Sequence, residues 1–144
     1  MKIEDLYTLW EHDSIIKFTE LGKESLNVAH LHSKYLNLYS KERLILRKLE
    51  SDFKITNKLK FEYYTGTLSE DIRKEKNWLP NPLKILRQDL GLYLEADYDL
   101  KNESLKIVLQ KEKVDYLEQV VKHISGRGYL ISSAINYEKF MAGG

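Results

Sequence analysis

The chain has 144 residues, 42% of them hydrophobic and 31% charged, with two prolines and no cysteine. The missing cysteine excludes a disulfide framework and a thiolate metal site, and no apolar run is long enough to span a bilayer. A formal net charge of +1 excludes nucleic-acid binding by bulk charge, so any such role must rest on local charge.

The start, "MKIEDLYTLWEHD", is acidic early and has no apolar run of leader length, so we expect a soluble, cytoplasmic protein. Within it, Ile3, Leu6, Tyr7 and Trp10 recur at helical intervals and predict a short amphipathic helix. Asp13-Ser14 predicts its end, because both side chains compete for backbone amides outside helices.

From about Thr19 the helical period returns. Leu21, Ser25, Val28, His32 and Tyr35 form one stripe, flanked by Leu31, Leu38 and Tyr39. "YSKE", Tyr39 to Glu42, fits a capping box with Ser40 as N-cap if a new helix starts there, and equally a bend in one continuous helix. Leu46, Leu49, Phe53, Thr56, Lys60 and Tyr63 extend the pattern by steps of three and four to Gly66, a natural C-cap.

Residues 67–82, "TLSEDIRKEKNWLPNP", hold both prolines and read as a linker. The expected division is therefore 1–66, an N-terminal helical region; 67–82, the linker; and 83–144, a C-terminal helical region. In the stretch from Leu83 to Leu100, Leu86, Leu90, Tyr93 and Leu94 fit a helix, whereas Leu90, Leu92, Leu94, Ala96, Tyr98 and Leu100 fit a strand. A strand would need a pairing partner that the rest of the chain does not offer, so a short helix is preferred.

The C-terminal pattern is the clearest. Leu100, Ile107, Gln110, Val114, Leu117, Val121, Ile124, Gly128, Ile131 and Ile135 fall on one heptad seam, interrupted by Glu103. Such a seam marks helices packed side by side over several heptads. Leu105, Val108, Val120 and Leu130 widen it towards a bundle or a higher oligomer. The candidates for self-association are Val114, Leu117, Val121, Ile124, Gly128, Ile131 and Ile135. The fold class expected is all-α: a helical N-terminal lobe and a long, coiled-coil-like C-terminal helix.

Catalytic constellations are poor. His30 and His32 diverge on a helix, and neither shares metal-ligand spacing with a carboxylate or cysteine; His12 and His123 read as surface or partly packed. "SGRGY", Ser125 to Tyr129, lacks the lysine and hydroxyl residue of a phosphate loop. Two glycines inside a helix cost about 1 kcal/mol each relative to alanine, so a kink or a close helix contact is expected there, with Arg127 pointing outward. No catalytic residue, metal or cofactor is expected.

The basic stretch is more informative. From Lys41 to Lys60, seven cations face three acids. Arg43, Arg47, Lys54 and Lys58 advance by four, seven and four, so a helix lines them along one side, as a row that tracks phosphates requires. Phe61, Tyr63 and Tyr64 follow directly, and rings beside cations are what sequence-tolerant single-strand binding uses. The same residues also fit a solvated helix face followed by buried tyrosines, and composition alone favours that simpler reading.

"KLKFEYYTG", Lys58 to Gly66, resembles the Lys-x-Arg-x-acid-Tyr-Tyr-Ser/Thr-Gly motif of the UvsY family, recombination mediators of tailed phages. The Ser33-Lys34-Tyr35-Leu36-Asn37 stretch, the Arg127-Gly128-Tyr129 step and the Phe140-Met141-Ala142-Gly143 end are similar to that family as well. The resemblance implies a non-enzymatic mediator, located in the host cell cytoplasm, that binds single-stranded DNA. It implies a homo-oligomeric ring, a hexamer or similar, that helps a RecA-like phage recombinase displace the phage single-strand-binding protein. No membrane partner is implied. Carried over by position, Lys58 and Lys60 would contact DNA; the charge spacing and adjacent rings add Arg43, Arg47, Lys54, Tyr63 and Tyr64 as candidates. Lys60 departs from the motif's arginine, which keeps the charge but loses the planar fork. A coiled-coil scaffold without DNA binding is the alternative.

Overall fold

The computed structural model describes residues 1–80 and 85–143. The proline end of the expected linker (residues 81 and 82) and the first two residues of the ambiguous stretch lie outside the described residues. Among those described there are helices and turns but no strand. The helices are α1 (Ile3–Asp13), α2 (Leu21–Thr65), α3 (Glu70–Glu75), α4 (Leu90–Glu95), α5 (Tyr98–Ser125) and α6 (Arg127–Met141), with one 3-10 turn at Phe18–Glu20.

Helix α2 runs through Ser40 without a restart, so "YSKE" opens no new helix and the chain is continuous there. It stops at Gly66, whose φ of 78° lies in the left-handed region that a side chain would disfavour. There the amides of Thr67 and Leu68 both donate to the Glu62 carbonyl, at 2.9 and 3.1 Å, closing the end of the helix. The expected linker is not structureless. Ser69 caps α3 by accepting the Ile72 amide at 3.3 Å. Of the ambiguous stretch, residues 90–95 are helical, as preferred.

The chain forms two compact units, each drawing on both halves of the sequence: Met1–Leu44 with Gln110–Gly144, and Ile45–Leu109. The first is organised by apolar burial. Leu6 of α1, Leu31 and Tyr35 of α2, and Leu117, Val120 and Ile124 of α5 form its core. Trp10 stands edge-on to Tyr35 at 5.3 Å, and Tyr7 to Tyr116 at 4.8 Å. At the rim Asp13 accepts from Lys34 at 2.7 Å and the Tyr35 hydroxyl at 2.8 Å. Burial alone would raise the Asp13 pKa; the bonds from Lys34, Tyr35 and His12 outweigh it and hold this carboxyl below its ordinary value.

Gly126 separates α5 from α6, so the expected break is there. Arg127, expected to point outward, instead is buried at 3% exposure. Its guanidinium donates to the carbonyls of Asp13, Ser14 and Ile15 at 3.1 to 3.3 Å and to Glu24 at 3.2 Å. These bonds satisfy carbonyls at the end of α1 that the helix itself leaves unpaired. Five directed donors explain why an arginine serves there.

The heptad seam is largely spent inside this same unit. Val114, Leu117, Ile124 and Ile131 are buried within the single chain, whereas Val121, Gly128 and Ile135 are half-buried. The opposite face of α6 is the exposed one: Tyr129, Tyr137 and Phe140 are 79%, 62% and 76% exposed. Eight and eleven residues separate the later two from Tyr129, which places all three on one side of a 3.6-residue helix.

Candidate nucleic-acid interface

The second unit carries the whole motif from Lys58 to Gly66. Its part of α2 presents two faces. Arg47, Lys54 and Lys58, separated by seven and four residues, share the outer one and are all exposed. The Lys58 side chain is 78% exposed, with Glu62 one turn on at 4.0 Å, a surface pair of little energetic weight. Arg43 lies earlier on α2, in the first unit, exposed and 5.2 Å from the Tyr39 ring.

Lys60 follows Lys58 by two residues, about 200° round the helix, and faces the other way. It is 5% exposed. Its ammonium lies 3.1 Å from Asp97 and 3.0 Å from Asp99, and 3.9 Å from the centre of the Trp78 ring. Three partners of opposite or π-rich character surround a charge that could not otherwise be buried. Asp97 is itself 5% exposed. It caps α5 by accepting the Leu100 amide at 2.9 Å, and it also accepts the Tyr64 hydroxyl. Burial would raise the Asp97 pKa; the bonds from Tyr64, the Leu100 amide and Lys60 prevail and hold it below its usual value. Burial and donation to Asp97 push the Tyr64 hydroxyl up.

Tyr63 is tied down as well. Its hydroxyl donates to the Leu79 carbonyl, and its ring stands 5.4 Å from Trp78 and 5.1 Å from Tyr64. Trp78 is aimed inward by Asn77, whose φ of 58° turns the chain in a region asparagine tolerates better than most residues. The Trp78 carbonyl accepts from Arg73 at 2.8 Å, and its indole donates to Asp99 at 3.0 Å.

The candidate residues thus separate. Arg47, Lys54 and Lys58 are outward, free to meet a polyanion. Lys60, Tyr63 and Tyr64 are brought together, but around Trp78, Asp97 and Asp99. Sequence reasoning missed those last three. The one signal pointing to them was Asp97 three residues ahead of Leu100, an N-cap spacing at the start of the C-terminal helix. Among the described residues no group of three or more His, Asp or Glu side chains is placed to hold a metal, and no helix is long and apolar enough to cross a membrane.

The family described as "Recombination, repair and ssDNA binding protein UvsY" matches residues 9–144. The recombination protein uvsY of Enterobacteria phage T4 is 25% identical over 143 residues, 99% of each chain. Two crystal structures of the bacteriophage T4 recombination mediator protein UvsY superpose on this fold. One has a TM-score of 0.81 at 24% identity, covering 99% of this chain and 98% of the other. The second has a TM-score of 0.85 at 24% identity, covering 97% and 99%.

Proposed function

Since the chain belongs to the UvsY family of recombination, repair and single-stranded-DNA-binding proteins, we propose that it is a homo-oligomeric mediator that lays single-stranded DNA along the outer face of α2. In this reading it helps a RecA-like phage recombinase onto DNA coated by the phage single-strand-binding protein, in the host cell cytoplasm, and performs no catalysis. The observation that carries the reading is the exposed Arg47–Lys54–Lys58 row, aligned on one helix face. Arg43 extends the set.

Lys60, Tyr63 and Tyr64 have a different task in this proposal. They position the surface from within, by anchoring Trp78 and the start of α5 to α2. A subunit with so few free cations binds DNA weakly, and an oligomer that repeats them multiplies the effect. Because the seam residues Val114, Leu117, Ile124 and Ile131 are spent inside the subunit, we place self-association on the outward aromatic face of α6. Tyr129, Tyr137 and Phe140 form it. An exposed aromatic face of this kind is what interfaces bury.

Fluorescence anisotropy of a labelled oligo(dT) over a salt series tests the DNA surface. Lys54→Ala with Lys58→Ala should weaken binding and lower the magnitude of the salt slope by about 1.4, at roughly 0.7 per phosphate contact on a single strand. An unchanged slope would remove α2 from the interface. For assembly, Tyr137→Asp should give smaller species by light scattering, and unchanged mass would move the contact elsewhere.

A further inference from the structure

Beside the basic row, on the same unit, is an open cleft of about 410 Å³ between α2, α4 and α5. Its walls are apolar: Phe53 of α2, Leu94 of α4, and Leu100 and Leu105 of α5. Two neutral polar groups, the Asn57 amide and the Ser104 hydroxyl, join the lining, and neither makes a hydrogen bond to another described residue. Lys101 and Glu95 also border it. We propose that this cleft accepts an unstacked base of the bound single strand, while the neighbouring lysines hold its phosphates.

The proposal rests on the DNA-binding reading above and names the part of the surface that meets bases. Helix register carries it. Phe53, Asn57 and Phe61 follow one another at four-residue steps, and each step drifts by about 40° round a 3.6-residue helix. The stripe therefore starts in the cleft and, by Phe61, comes round to within about 20° of Lys54, seven residues earlier. Phe61 is 39% exposed, so the ring free to stack beside Lys54 and Lys58 is Phe61, whereas Tyr63 and Tyr64 are engaged with Trp78, Tyr93 and Asp97. The occupant follows from charge. Lys54, Lys58 and Lys101 outnumber Glu95 and Glu62 around this part of the surface, which suits a polyanion carrying flat apolar groups. Apolar walls take a base face of any identity, and an amide with a hydroxyl can pair with a base edge in either donor or acceptor sense.

The test compares oligo(dT) with an abasic deoxyribose oligonucleotide of equal length, using the full-length protein. Oligo(dT) should bind about 5- to 100-fold tighter, the range a stacked base supplies. Ser104→Phe, which fills the cleft from an exposed position, should abolish most of that difference while leaving the salt slope unchanged. Lys58→Ala should instead weaken both oligonucleotides and reduce the slope. Asn57→Ala, milder and also exposed, should narrow the difference a few-fold, and it serves should the larger substitution disturb folding. Equal affinity for the two oligonucleotides overturns the proposal, as does a difference that survives both cleft variants. A change of oligomer mass in Ser104→Phe with the difference intact would assign the cleft to a second copy of the chain. Failure of both oligonucleotides to bind the unaltered protein would sink the DNA-binding reading itself, a separate result.

Discussion

The two units of this chain reach stability by opposite means. Among the described residues, nine of the twelve buried apolar ones belong to the first, which closes around Leu6, Tyr35, Leu117 and Ile124. The second buries three, Leu46, Leu90 and Leu100, and places at its interior a lysine held by two aspartates and a tryptophan. Apolar burial is non-directional and tolerates small shifts. A buried ion cluster is not tolerant: removing one partner strands the others in a medium that solvates them poorly. The first unit is therefore built to be firm, and the second to be exact about where α2 meets the start of α5, the region the proposed DNA surface occupies.

Each unit contains one tryptophan, Trp10 in the first and Trp78 in the second. Fluorescence in Trp10→Phe and Trp78→Phe backgrounds consequently reports them separately. The largest effect is expected from Lys60→Met, which strands the buried Asp97 and should cost about 3–5 kcal/mol. The loss should appear at Trp78 and leave Trp10 in place. The same variant should weaken DNA binding through loss of order without changing the salt slope, whereas a slope reduced by about 0.7 would make Lys60 a phosphate contact.

Leu117→Ala comes next, at about 3 kcal/mol for the lost methyl groups and the cavity left behind. It should appear at Trp10 in urea melts, and an equal shift at Trp78 would mean the two units unfold as one. The smallest contrast is with acid. Asp13 in the first unit and Asp97 in the second both have pKa values below their ordinary ones. Each thus contributes stability that is present above the unfolded value, near about 4, and lost as pH falls through the lower folded one. Because Asp97 is central to its unit and Asp13 lies at a rim, Trp78 should respond at a higher pH than Trp10. The reverse order would refute the central place given to the ion cluster.

Periodicity made the helices legible. The 3.6-residue pattern located α1 and carried the helical stripe of α2 to its stop at Gly66, the two glycines marked where the expected long C-terminal helix divides into α5 and α6, and the spacing of Lys54 and Lys58 put them on one face. The order of the short motifs pointed to the family. These features depend on neighbours within a few positions, which the chain itself specifies. The destination of each face was another matter. Lys58 and Lys60 are two lysines of one motif, and what separates them is that Asp97 and Asp99 arrive nearly forty residues later to neutralise one and not the other. The seam from Leu100 to Ile135 reads the same whether its partner is a second subunit or α1 and α2 of the same chain. Arg127 turns inward because the end of α1 offers it three carbonyls and α2 offers Glu24. Sequence by itself determined the angular position of every side chain on its helix. Tertiary structure alone decided what covers that angle, because burial is a contact between distant segments and no local pattern encodes the partner.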